Sequence, residues 1–474
     1  MTVTGRNDTT AMVEFDISWE NSWRYTNINH DAAWVFFKVL PDGRTDWERV
    51  TLEGTGTNPT DYVVGAGTPI EMIVPADRVG MFVRRSGEGA GTTSVQNVKA
   101  VWNIASNSLV KTDKVKLQAF GVEMVYVAEG AFKVGDGSSD QGQLYEGGGG
   151  TTPFAITNAG PISCSNLVGC LWGASQSGNT SMGGVGTISS NYPNGYNAFY
   201  SMKYELTQGQ YADFLNTLTR DQQATRCTAT TLDYYMSATA GGSAAIQNRN
   251  TVRLTEDPGS PSRRVYTTVT RDRACNWLSW ADGAAFADWA GLRPMSELEF
   301  EKACRGPLDP VADEYAFGVS AYTVISGLQG TDGSGTEYYT AGNLIVSGSN
   351  PGGPVRVGIF ATALSTRVSA GASYWGIMEL SGNVWERPVT IGNATGRAFT
   401  GLHGNGVLNA AGDADVTAWP NTTATGAGFR GGSWYNASAH ARVSDRIFAA
   451  IVLAVRNDSS GSRAGRSAPS GVGP

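Results

Sequence analysis

Apolar residues in this chain occur only in short runs, the longest being the nine from Ile447 to Val455. A bilayer-spanning helix needs roughly 20 apolar residues in succession, so none is expected. The opening MTVTGRNDTT also lacks the apolar centre of a secretory leader. Short runs divided by turn residues favour many brief strands over long helices. Glycine points the same way, with 61 of 474 residues, nearly twice the usual share. The net charge of −7 argues against a basic nucleic-acid-binding surface. The five cysteines, Cys164, Cys170, Cys227, Cys275 and Cys304, are too sparse for a disulfide framework. They read as reduced and structural, with a Cys164–Cys170 pair left open.

An α+β chain in two parts is expected. Across residues 1–118 the runs VEFDISW, AAWVFFKVL, DWERVTLEG, PIEMIVP, GMFVRRS, VKAVWNI and DKVKLQAF are separated by Gly, Pro, Asn and Asp. That spacing predicts an all-β, immunoglobulin-like sandwich, with its tryptophans in the core. Residues 119–474 carry long Gly/Ser/Thr/Asn-rich loops and three capped helices. The first follows Thr207, with Gln210 reaching back. The second starts near Ser279, with Asp282 three residues on, and stops at Gly291. The third begins at Ser296, with Glu299 in the capping-box position, and ends at Gly306. The glutamates of SELEFE therefore have a structural task. His30, His403 and His440 are too scattered for a metal triad, and neither a nucleophile elbow nor a phosphate loop occurs.

Five segments carry a resemblance: GVEMVYVAEGAFKVGDG (121–137), FYSMKYELTQGQYADFLN (199–216), WLSWADGAAFADWAGLRPMSELEFEKACRG (277–306), YWGIMELSGNVWE (374–386) and GFRGGSWYN (428–436). In order and spacing they resemble the formylglycine-generating-enzyme family, which implies a variant of the C-type lectin fold over roughly residues 118–474. In that family two catalytic cysteines follow the GGS motif, and the corresponding positions here are Asn436 and Ala441. Neither can form a thiolate, so formylglycine-type oxidation is not expected and no catalytic residue is assigned. The resemblance also implies a structural Ca²⁺ near Glu386, with Glu379, Gly382 and Val384 as the other mapped positions.

The C-terminal region, about 400–468, resembles the variable regions of proteins diversified by retroelements, in which adenines of AAC or AAT codons are altered. Such a codon cannot become Lys, Glu, Gln, Met or Trp. Those types make up 60 of the 474 residues, yet none falls among the 31 from Tyr435 to Gly465, where about four would be expected. Two readings of residues 447–455 stay open on the residues alone: a buried core strand, or apolar side chains displayed on a surface. The resemblance favours display, with Arg442, Ser444, Arg446, Ala450, Arg456, Gly461 and Arg463 as scaffold. It implies contact residues at Tyr435, Asn436, Ser438, His440, Ile447, Phe448, Ile451, Leu453, Val455, Asn457, Asp458 and Ser459. Tyr435 and Phe448 are the expected anchors, and His440 a candidate pH-sensitive contact.

The expected function is noncovalent binding of a protein or other surface receptor on a target cell, without nucleic acid or membrane insertion. A phage or virus tail-fibre tip, or a cell-surface adhesin, fits this, with the N-terminal part as spacer and a homo-oligomer, by analogy a trimer, adding avidity. The alternatives are an oxidase or related enzyme of the same fold, and an inert structural virion component whose residues 447–455 would be solvent-inaccessible.

Overall fold

The computed structural model describes residues 1–26, 28–173, 178–348 and 351–473. It is rich in sheet and poor in helix. The six longest strands of the N-terminal part are β1 (Thr10–Tyr25), β2 (Asn29–Pro41), β3 (Ile70–Val74), β4 (Gly80–Arg85), β5 (Gly89–Asn103) and β6 (Val115–Val127). β1 pairs antiparallel with β5, while β2 lies between β4 and β6, and β3 extends that layer beyond β4. Ala11, Val13 and Phe15 of β1 and Val98, Ala100 and Trp102 of β5 meet Val35, Phe37 and Val39 of β2 in one apolar core.

The run AAWVFFKVL gains its continuous apolar character from having two faces to bury. Ala33, Val35, Phe37 and Val39 enter the N-terminal core, whereas Ala32, Trp34 and Phe36 belong to the core of the C-terminal part. Trp34 Nε1 donates to the Ala290 carbonyl at 2.7 Å, and the Phe36 ring meets Trp289 edge-on at 5.0 Å. The sheet itself is continuous across the junction. β6 pairs with β2 along Val115–Val125 and with β7 (Phe199–Met202) at its far end, so position 118 falls inside a strand.

Four helices of seven or more residues follow: α1 (Gln208–Leu215), α2 (Arg220–Arg226), α3 (Trp280–Trp289) and α4 (Glu297–Arg305). Thr207 with Gln210, Ser279 with Asp282 and Ser296 with Glu299 form the three capping boxes expected from sequence. α2 has its own, Thr219 with Gln222, which the sequence reading passed over. The chain returns to the central sheet through β8 (Ala464–Ser467), paired with β7. All five cysteines are free thiols, so Cys164 and Cys170 are not joined.

Lys38 shows how tightly the two parts are fitted. Its ammonium is buried and donates to the carbonyls of Trp289 (2.8 Å) and Gly406 (2.7 Å). Burial lowers its pKa to about 7, against the pull of Asp288. The unfolded chain binds a proton that the folded chain releases between that value and the usual ~10.4, so stability rises with pH through this window. Denaturation midpoints between pH 7 and 9 should climb, and Lys38→Met should flatten the slope by up to about 1.4 kcal/mol per pH unit. An unchanged slope in the variant would locate the titration elsewhere.

Candidate functional site

The residues from 435 to 459 follow no regular strand. Apart from a single turn of 3₁₀ helix at Ser438–Ala441, they run as turns and irregular backbone. The core-strand reading of 447–455 is thereby corrected. The reason lies in distant anchors: Arg446 is buried against Glu297, and the Ala450 N–H donates to the Asn179 carbonyl at 2.7 Å, bending the segment away from any strand partner.

Most of the segment is attached through its main chain. Phe429 N–H donates to the Phe448 carbonyl (3.1 Å), and Arg387 donates to that of Leu453 (2.9 Å). Trp277 N–H reaches the Asn457 carbonyl (3.0 Å), and Trp385 N–H that of Ser459 (2.9 Å). The Asp458 carbonyl accepts from both Asn276 Nδ2 (2.8 Å) and Trp434 Nε1 (3.1 Å). A backbone acceptor is present whatever the side chain, so this anchoring does not depend on residue identity at these positions.

The charged anchoring is carried by side chains between them. Arg446 places Nε 2.5 Å from Glu297 Oε1 and donates to the Gly142 carbonyl at 2.7 Å. Arg430 spans Glu297 and Glu301, at 2.8 Å each. Burial would raise the Glu297 carboxyl, but Arg446 and Arg430 overcome it and bring the pKa down to about 2. Arg456 pairs with Asp282, Arg463 with Glu386, and Arg442 with Asp140 and Asp313. A Cβ on Gly461 would stand 2.2 Å from Val384 Cγ2, so only glycine fits there without displacement.

Above this base the segment opens a cleft of about 230 Å³, walled by Trp385, Phe429, Tyr435, Asn436, Phe448, Ile451, Leu453, Asn457, Asp458, Ser459 and Ser460. Trp385 forms its centre, edge-on to Phe448 and to Phe429 at 5.7 Å each. The Arg387 guanidinium lies 3.9 Å over the Phe429 ring and, through its bonds to Gly428 and Leu453, holds both walls.

Eight of the twelve contact residues expected from sequence therefore meet in one place: Tyr435, Asn436, Phe448, Ile451, Leu453, Asn457, Asp458 and Ser459. Tyr435 is 62% exposed, whereas Phe448, Ile451 and Leu453 are half-buried. Three of the eight have structural duties. Asn436 Oδ1 accepts from Trp385 Nε1 (2.8 Å) and from the Ser433 hydroxyl (2.5 Å). Asn457 Oδ1 accepts from the N–H and hydroxyl of Ser459, and Ser459 is itself buried at 7% exposure. Burial also raises the Asp458 carboxyl above its usual range.

Ser438, His440, Ile447 and Val455 stand outside the cleft walls. His440 packs behind Phe448, with ring centroids 5.8 Å apart and Nδ1 3.6 Å from Asp445. Ile447 is half-buried beside Asp445, and Val455 projects into solvent at 62% exposure. Val452, at 52%, is exposed in the same apolar run but was not among the expected contact residues. Trp385 and Phe429 were also missed as walls. Each sits in a motif quoted for its resemblance, one residue either side of a pairing between Glu386 and Arg430.

The positions that match the catalytic cysteines offer no sulfur: Ala441 is wholly buried, and Asn436 is bonded as described. At the mapped Ca²⁺ positions, Glu386 Oε1 is engaged by Arg463 at 3.2 Å through two nitrogens, and Glu379 Oε1 accepts from Gly358 N–H at 2.7 Å. The second oxygen of each, Glu386 Oε2 and Glu379 Oε2, is buried without a hydrogen-bond partner. What remains is a small, rigid, largely apolar recess with a polar rim, suited to noncovalent recognition.

The profile of the sulfatase-modifying factor enzyme 1-like domain matches residues 174–464. Similar solved structures include Treponema denticola variable protein 1, at 13% identity and a TM-score of 0.33, covering 73% of this chain and 96% of that one. The Major Tropism Determinant U1 variant is also similar, at 13% identity and a TM-score of 0.25, with 87% and 83% covered. Its M1 variant gives 13% and 0.26, with 87% and 86% covered. No curated protein matches.

Proposed function

Because this chain belongs to the sulfatase-modifying factor enzyme 1-like domain family and carries Asn436 and Ala441 where the oxidases need thiols, we propose that it is a binding protein and not an enzyme. It recognises a protein or other surface receptor on a target cell through the cleft around Trp385. The observation that carries this reading is the division of labour in residues 435–459. The backbone is held by fixed donors, while side chains such as Tyr435, Phe448, Ile451 and Leu453 wall an open recess. A surface of this kind tolerates change in its contact residues without losing its shape, which is what diversification by a retroelement requires. Ordered side chains also lose little entropy on binding.

In the same reading the chain serves as a tail-fibre tip or surface adhesin, and it assembles as a homo-oligomer, by analogy a trimer. Residues 1–118 form an immunoglobulin-like sandwich that attaches the lectin-like part, residues 119–474. Among the described residues no helix is long and apolar enough to cross a membrane.

The test is a cell-binding assay followed by cross-linking to capture the receptor. Tyr435→Ala and Phe448→Ala should each weaken binding by at least tenfold to thirtyfold, about 2 kcal/mol, as buried aromatic anchors do. Val324→Ala, exposed and outside the cleft, should change nothing. Binding that survives both aromatic substitutions would remove the cleft from the interface.

A further inference from the structure

A second and larger recess, about 700 Å³, lies where the end of β1 meets the C-terminal part. Its volume falls within the range of small-ligand sites, roughly 300–1,000 Å³. Trp23 and Tyr25 come from β1, and Tyr204 and Tyr374 from the opposite side. Tyr25 is 47% exposed, and the other three rings are half-buried, so all four offer surface.

The rings are fixed in place. Lys203 Nζ lies 5.0 Å from the Trp23 centroid and 5.4 Å from that of Tyr204, joining the two sides. Asn29 Nδ2 donates to the Trp375 carbonyl at 2.6 Å and closes the floor. Gly376, at φ +87°, lets the Trp23 ring approach: a Cβ there would stand 3.1 Å from it.

Two cations line the walls. Lys203 is bonded to Glu123 at 3.0 Å and stands 3.7 Å from Asp31. Arg367 donates through Nη2 to the carbonyls of Ala316 (2.8 Å) and Cys304 (3.3 Å), and among the described residues no carboxylate is paired with it. No carboxylate is among the lining residues, so a cationic ligand would find no counter-charge. The polar groups that remain are neutral: the amide of Asn21, the phenols and the hydroxyls of the 362–366 loop.

We propose that this recess binds a carbohydrate. A sugar ring presents an apolar C–H face to an aromatic ring and hydroxyls at its edge, the two surfaces that these walls provide side by side. The site is separate from the Trp385 cleft, with which it shares no lining residue.

The full chain should be titrated with maltotriose, cellotriose and triacetylchitotriose by saturation-transfer NMR, alongside a printed array of neutral and acidic glycans. At least one glycan should bind. Tyr25→Ala should weaken it at least tenfold, and Asn21→Gly, which suits the positive φ of 53° at that position, should weaken it several-fold with an unchanged denaturation midpoint. Phe448→Ala should leave this binding intact, which separates the proposal from the receptor cleft. Absence of any glycan signal, or binding unmoved by Tyr25→Ala, would overturn it.

Discussion

Replacing Arg446 with alanine should destabilise the fold by about 3–5 kcal/mol, the usual consequence of leaving a buried charge without its partner. Arg446 is fully buried, places Nε and Nη2 against Glu297 (2.5 and 3.2 Å), and satisfies the Gly142 carbonyl. Its loss strands a carboxylate that would keep only Arg430 of its two cationic partners. Arg446→Lys should recover only part, because an ammonium cannot reproduce the guanidinium fork. Since Ile447 follows directly, the displayed segment should loosen as well, and receptor binding should fall with stability.

The pH dependence gives an independent check. Glu297 has a folded pKa of about 2, below the ordinary value near 4.3, so its contribution is complete above that value and lost as pH falls towards 2. Urea denaturation at pH 7 and pH 3 should therefore show a smaller difference between Arg446→Ala and the parent at the lower pH. A loss under about 1 kcal/mol at pH 7 would mean that the ion cluster is not what fixes the start of the segment.

Gly428→Ala should cost about 3 kcal/mol and abolish receptor binding. A Cβ on Gly428 would stand 1.8 Å from the Ala449 carbonyl oxygen and 2.4 Å from its carbon. Both are backbone atoms, so no rotamer change relieves the contact and residues 448–450 must move. The bond from Phe429 N–H to the Phe448 carbonyl would break with them, opening the cleft at its Phe429–Phe448 wall. Gly121→Ala is the control: nothing lies within 4 Å of its Cβ position, and β-structure accepts alanine there. If Gly428→Ala bound receptor as the parent does, the 448–450 backbone would be freer than its contacts indicate.

What the sequence determined by itself was whatever rests on neighbours in the chain or on one strand's pattern. Capping boxes at Thr207, Ser279 and Ser296 are contacts between residues three apart, and all three helices begin where those residues stand. The run AAWVFFKVL of β2 announced a strand, although not that its two faces would enter two different cores. The same kind of run from Ile447 to Val455 fits a core strand or a displayed surface equally well, because periodicity reports burial and not what does the burying. Tertiary structure decided between them. Glu297 is 149 residues from Arg446, and Arg387 is 66 from Leu453. Only when the fold brings these groups together do they satisfy the segment's backbone and charges without a strand partner, leaving Phe448, Ile451 and Leu453 half-buried and Val452 and Val455 exposed.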